Sequence, residues 1–326
     1  MKYIFISIIV LGSLSLIQCS NPLLTKPETP FGVPAFDKIK PSHFKPAFRK
    51  EIKTQQVIIK KILDNKTKPT FKNTVAPLEN SFIKIRNLKG IFYTIAGTKS
   101  SKSMRKISKD ISLMLTKNMD NIRLNNKLFK KIEHVYVHRK VLSLKKEQSR
   151  LTSVIYYDLK RNGANLNKKQ KSELKTINKK IVSLKLQFRN NLLGDTKNFT
   201  LILDKKNQIM GLPESAVANA AERAKKKGKS GKWIFTLDST SFWPFIQNAK
   251  NRNLRKKIFL AYKNRGNNKN KFNNTKVISQ LISLRLKKAQ LLGYKNFAEF
   301  KTSQEMSKTP EAVISFLNNL LQLSKK

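Results

Sequence analysis

Residues 251–300 read NRNLRKKIFLAYKNRGNNKNKFNNTKVISQLISLRLKKAQLLGYKNFAEF. Within this stretch Ile278, Leu281, Ile282, Arg285, Ala289 and Leu292 recur at three- and four-residue spacing, the period of one helix face, and Gly293 follows directly as a C-terminal stop. A second helical segment ends at 262–266, and the polar run 267–274 turns between the two. The pattern predicts a helical hairpin.

The same period extends outward. Phe48, Ile52, Ile59 and Ile62 share a face, as do Met104, Ile107, Ile111, Met114 and Leu115, and then Leu174, Ile177, Ile181, Leu184, Phe188 and Leu192. Near the end, Thr309 as N-cap and Pro310 at the first helical position open a helix whose stripe is Val313, Phe316, Leu317, Leu320 and Leu321. One region reads as sheet. Phe199, Leu201 and Leu203 alternate with Thr200 and Ile202, and 233–237 is a second aromatic and β-branched run. Between them Pro213 lies in the first turn of a helix carrying Ala216, Val217, Ala220, Ala221 and Ala224. The fold class is mainly α with one small β-sheet insertion.

The 326 residues carry 39% apolar side chains, enough for a core, and 68 Lys+Arg against 19 Asp+Glu, a formal charge of +49. Such a charge attracts polyanions. The lysines nevertheless form no patch; they are spread along nearly every segment, as compositional drift on solvated faces would leave them. Aromatic residues fall on helix faces with aliphatic neighbours, which does not indicate a stacking platform for single-stranded nucleic acid.

Residues 1–19 read as a signal peptide: Lys2 is a short positive region, 3–16 an apolar run too short for a comfortable membrane span, and Cys19 the single cysteine. Leu16-Ile17-Gln18-Cys19 resembles a bacterial lipoprotein box, with Gln18 bulkier than the Gly, Ala or Ser usual there. Cys19 is the lipidation candidate, the alternative being an ordinary secretory signal with an incidental cysteine; in both cases the expected location is outside the cytoplasm, and in the first the chain is anchored to a membrane by lipid. Residues 20–46, punctuated by prolines up to Pro41 and Pro46, are expected to form an extended strap that contains His43, and 47–326 the helical domain.

Chemistry is sparse. The histidines are His43, His134 and His138. His134 and His138 have the one-turn spacing of a metal pair, but Val135 stands where a zinc peptidase helix of the His-Glu-x-x-His type has its glutamate, and Glu133 precedes the pair instead. An exposed histidine pair on an ordinary helix is the expectation. There is no Gly-rich phosphate loop, no Gly-x-Ser-x-Gly elbow and no second cysteine for a redox pair. The sequence nominates no catalytic, cofactor-binding or metal-binding residue.

A resemblance supplies what motifs do not. Asn251-Arg252, Leu254-Arg255, Ala261-Tyr262, Arg265-Gly266, Asn273-Asn274, Leu284-Arg285, Ala289 and Leu291-Leu292-Gly293-Tyr294, in that order, resemble the thimet oligopeptidase family of zinc peptidases, in its peptidyl-dipeptidase Dcp and oligopeptidase A branch. Further matches are Pro30-Phe31, Phe36-Asp37-Lys38-Ile39, Pro69-Thr70-Phe71 with Asn73-Thr74, 161–166, 211–214, 233–237 and 308–313. The resemblance implies the helical N-terminal half of a neurolysin-like metallopeptidase domain, truncated before the zinc-binding motif and walling one side of a channel for short peptides. Zinc is then expected in the complete enzyme and not specifically on these residues. The implied activity is release of dipeptides from peptide C-termini. The alternatives are a noncatalytic subunit pairing with a separately encoded C-terminal half, and a lipid-anchored basic protein that binds polyanions weakly.

Overall fold

A computed structural model describes residues 21–98 and 101–325, so the signal segment and Cys19 lie outside the described residues. The chain divides into two compact units, 1–111 and 112–326.

In the first unit, residues 21–40 run through short turns and a single 3₁₀ turn, Pro30–Gly32, rather than a continuous extended strap. Helix α1 (Pro41–Asp64) begins five residues before the expected boundary at Pro46. Both prolines fit inside it. Pro41 occupies the first helical position, where a missing N–H costs nothing, and Pro46 forfeits only the bond to the carbonyl of exposed Ser42, which water can replace. His43 therefore lies in the first helical turn, where its Nδ1 accepts from the Lys40 N–H at 3.2 Å. A π-helical turn, Phe71–Val75, then leads into α2 (Ala76–Asn80) and α3 (Ile83–Thr98).

That turn is fixed by reciprocal capping. Thr70 Oγ1 accepts from Asn73 N at 3.2 Å while the Thr70 N–H donates to Asn73 Oδ1 at 2.8 Å. Phe44, Phe48 and Phe92, all fully buried, meet edge to face with centroids 5.0 and 6.0 Å apart. Each such ring contributes about 1.5–3 kcal/mol by burial alone.

Helix α4 (Lys102–Arg123) passes from the first unit into the second. There α5 (Asn126–Val137) packs on α6 (Lys146–Arg161), through Phe129 and Tyr136 stacked on Tyr156. The long α7 (Lys168–Asn198) follows, then β1 (Leu201–Leu203), α8 (Glu214–Lys226) and β2 (Trp233–Phe235). The strands pair antiparallel with Leu201 opposite Phe235, and the expected alternation holds: Leu201 and Leu203 are buried and Ile202 is exposed. With Ala220 of α8, Phe242 and Phe245 of α9 (Ser239–Asn248) and Ile258 of α10 (Arg252–Lys263), these strands enclose one apolar cluster. The chain closes with α11 (Thr275–Leu291), α12 (Phe297–Thr302) and α13 (Pro310–Ser324).

The expected hairpin takes a different form. Helices α10 and α11 do flank the polar turn, but α10 packs on α9 and α11 packs on α7. The stripe facing α7 includes buried Val277, Leu281 and Ala289, whereas Ile278 and Ile282 are 43% and 60% exposed. Two apolar stripes lie side by side on this helix, and periodicity alone merges them.

Helix α11 is tied to α7 at both ends. Lys288 Nζ donates to Asn178 Oδ1 at 2.8 Å and Asn191 Nδ2 donates to Asn274 Oδ1 at 3.0 Å, so the two helices run antiparallel. Near the second contact the loop between α10 and α11 wraps the buried carboxylate of Asp195. Oδ2 accepts from Gly266 N at 2.7 Å and Asn268 Nδ2 at 2.8 Å, and Oδ1 accepts from Asn270 Nδ2 at 2.9 Å. Gly266 adopts φ +75°, which an L side chain resists, and a Cβ on Gly194 would collide with the ring of Phe272 seated against α7. Burial acts to raise the Asp195 carboxyl, but the donors of Asn270, Gly266 and Asn268 and the Arg265 charge outweigh it and hold it below its ordinary 3.8.

Replacing Asp195 by Ala strands the buried Gly266 N–H and turns the Asn268 and Asn270 side chains back to water, and is expected to cost on the order of 1–3 kcal/mol in urea unfolding. The depressed folded-state pKa makes this contribution present above about pH 3.8 and lost as pH falls through the lower folded value. The stability gap between wild type and Asp195→Ala should therefore narrow in acid; a gap unchanged down to pH 2 would show that the carboxylate charge is not what holds the loop.

Candidate functional site

The histidine pair is placed by the end of α5. His138 is the C-cap residue, its Nδ1 lies 2.8 Å from the His134 carbonyl oxygen, and the two rings sit 4.2 Å apart between centroids. Val135, at the position a catalytic glutamate would need, is fully buried in the α5–α6 core. His43 belongs to the other unit. Among the described residues no three His, Cys, Asp or Glu side chains gather as metal ligands. The residues present do not fit a catalytic zinc site, and no step through zinc is derived from them.

A polar seam, absent from the sequence reading, runs where α4, α7 and α11 meet. Asn178 of α7 bridges it: its Nδ2 donates to Asp120 Oδ1 at 2.8 Å, and its Oδ1 accepts from Lys288. Alongside, Arg123 forms a fork with Asp158, Nε and Nη2 each 2.9 Å from a carboxylate oxygen, and Asn162 Nδ2 donates to the same carboxylate at 3.0 Å. Burial, assisted by the charges of Arg123, Arg161 and Lys185 and opposed by Asp120, pushes Lys288 down to about 8. Burial conversely raises Asp120 against the pull of Asn178, Lys288, Arg123 and Lys175. Lys288 stands seven residues after Leu281, on the stripe facing α7, and a lysine at that register was the one available signal.

Two concavities adjoin this seam. One, of about 200 Å³, lies among Asp120, Arg123, Asn178, Lys185 and Lys288. The other, of about 490 Å³, opens at the C-terminal ends of α6 and α11 and is lined by Tyr157, Arg161, Asn165, Tyr294 and Gln304 among others. Its wall is braced by Phe300 of α12, over whose ring the Arg161 guanidinium lies at 4.1 Å while donating to the Phe300 carbonyl. The loop 161–166 named in the sequence comparison thus serves both cavities.

Large apolar side chains are also exposed on three of the helices. Phe259 and Leu260 of α10, Ile278, Ile282 and Leu286 of α11, and Ile314, Phe316, Leu317, Leu320, Leu321 and Leu323 of α13 are all exposed, and α13 buries nothing. On α13 alone six large apolar side chains stand exposed within 15 residues, a density that marks an interaction surface.

Residues 245–326, which include all of these exposed side chains, match the model of peptidase family M3. Along its length the chain is 31% identical to the dipeptidyl carboxypeptidase of Escherichia coli (strain K12), over 94% of this chain and 45% of that protein. The chain is a relative of the thimet oligopeptidase family, peptidase family M3. It is also 29% identical to the organellar oligopeptidase A of Arabidopsis thaliana, over 94% of the chain and 38% of that protein, and 26% identical to the oligopeptidase A of Escherichia coli (strain K12), over 94% and 45%. The chain spans about half the length, or less, of the curated relatives it matches. Within the family frame, the residues that carry the resemblance do structural work here. Asn251 caps α10 by accepting from Leu254 N at 3.1 Å, Arg255 donates to the Lys250 carbonyl at 3.0 Å, and Gly266 and Asn274 hold the Asp195 loop.

A pKa lowered in the fold means that the unfolded chain binds more protons between about pH 8 and 10.5, so stability rises with pH across that window and the gain is complete above it. Urea unfolding at pH 7.5 and 9.5 should show this rise, and Lys288→Met should flatten it. A rise of equal size in the variant would assign it to other lysines.

Proposed function

We propose that these residues form the noncatalytic wall of a zinc peptidase of the peptidyl-dipeptidase type, which releases dipeptides from the C-termini of short peptides. Zinc and its His-Glu-x-x-His helix would be supplied by residues other than these 326, whether further along one polypeptide or on a second. The observation that carries this reading is the exposed apolar stripe of α13, together with exposed apolar side chains on α10 and α11, all within the segment matching the family. The names of the relatives, dipeptidyl carboxypeptidase and oligopeptidase A, support the substrate class. A stripe such as Phe316, Leu317, Leu320 and Leu321 costs solubility unless a partner surface covers it.

The test is chelator-sensitive hydrolysis of a blocked short peptide by this chain mixed with a His-Glu-x-x-His polypeptide of the same family. Activity is expected from the mixture only, and Phe316→Asp with Leu320→Asp, which alter exposed positions, should lower it at least tenfold without changing the circular dichroism of the chain. Hydrolysis by the chain alone, or full activity of the double variant, would overturn the reading.

We further propose export and a lipid anchor at Cys19, on the strength of the apolar run before it. Partition of the expressed protein into the membrane fraction, lost in Cys19→Ser, is the expected result; equal partition of both would remove the anchor from the account.

A further inference from the structure

The smaller cavity has an unbalanced lining. Thr116, Asn162 and Asn178 supply neutral polar groups, and Arg123, Lys185 and Lys288 supply three cations against one carboxylate, Asp120. Each cation except Lys185 is held in place. Arg123 is oriented by its two bonds to Asp158, and Lys288 by Asn178, whose amide is itself oriented by Asp120. Cations preorganised in a partly dry setting act on an entering anion more strongly than solvated surface lysines do. At about 200 Å³ the space is smaller than the roughly 300–1,000 Å³ typical of organic-ligand pockets, and suits a small ion with its waters.

We infer that this cavity between α4, α7 and α11 binds a small oxyanion, either a free phosphate ion or the carboxylate that ends a peptide. The inference does not depend on the peptidase reading. Asp120 does not oppose it outright, because its Oδ1 is engaged by Asn178, and the groups facing Lys288 are otherwise cationic: Arg123 from α4, Arg161 from α6 and Lys185 from α7, with Asp158 taken up by Arg123. An anion among them would relieve that crowding and raise the proton affinity of Lys288. Binding near pH 8 should therefore be accompanied by proton uptake.

Calorimetry on the full 326-residue chain, at fixed ionic strength and in two buffers of different ionisation enthalpy, reads both affinity and proton uptake. Inorganic phosphate is titrated in one arm, and N-acetyl-dialanine and its C-terminal amide in the other. One site with proton uptake at pH 8 is expected; the acid binding and the amide failing would identify a peptide carboxylate, and phosphate binding alone would identify a free ion. Lys185→Met, at an exposed position, should weaken binding at least fivefold, and Lys288→Met should abolish the proton uptake, while Lys225→Met on α8 leaves both unchanged. Absence of a saturable site, or binding weakened equally by Lys225→Met, would reduce the effect to the diffuse attraction of a basic chain and overturn the inference.

Discussion

The arrangement of the second unit depends on one buried carboxylate. Asp195 lies in the last turn of α7, where the helix dipole disfavours negative charge, and it is nearly inaccessible to water. Both penalties are offset by three N–H donors from the loop 266–270 and by the charge of Arg265. The dependence is mutual. The loop folded over the helix end buries the Gly266 N–H, and Asp195 is the partner it meets. Once the loop is closed, α11 can leave it in one direction only, back along α7, and its far end is then held by Lys288 on Asn178. The smaller cavity, lined by Asn178, Lys185 and Lys288, lies along that pairing of α7 and α11.

Charge imbalance shapes the interior as well as the surface. With 19 acidic residues against 68 basic ones, few cations can find a carboxylate, and the carboxylates that are buried or half-buried hold structure together. Asp158 fixes Arg123 and Asn162, Asp120 fixes Asn178, and Asp195 fixes the loop. Exposed pairs such as Lys226 with Glu222 contribute little by comparison. Where Arg123, Arg161, Lys185 and Lys288 converge, the supply of anions runs out, and Lys288 carries the cost as a lowered proton affinity.

Much of the fold was legible in the sequence because helix period and strand alternation record burial directly. Phe48, Ile52, Ile59 and Ile62 are all buried on α1, and Leu201 and Leu203 face the core while Ile202 does not. The misreadings have physical causes. Prolines mark helix starts as readily as they forbid helices, so α1 begins at Pro41 inside the expected strap. On α11, Ile278 and Ile282 obey the same period as Leu281 and Ala289, and hydrophobicity cannot tell a core stripe from an exposed one. The polar seam was illegible for a different reason. Asp120, Asn178 and Lys288 lie on three helices, and nothing local to any of them announces the other two.

The position of the bare surface bears on what the family signal means. In a helical core whose every face were either buried or solvated, the apolar residues of 245–326 would be confined to positions such as Val277, Leu281, Ala289 and Phe300, with polar residues on the solvent faces. Ile278, Ile282 and Leu286 are apolar and exposed all the same. So is much of α13, which carries six large apolar side chains while burying none. On a chain this rich in lysine, helix faces that are apolar and exposed call for a covering surface as the simplest physical reason. In the proposed peptidase the uncovered stripe and the missing metal helix then have one remedy: the surface that buries α13 and α11 would belong to the part of the domain that holds the zinc.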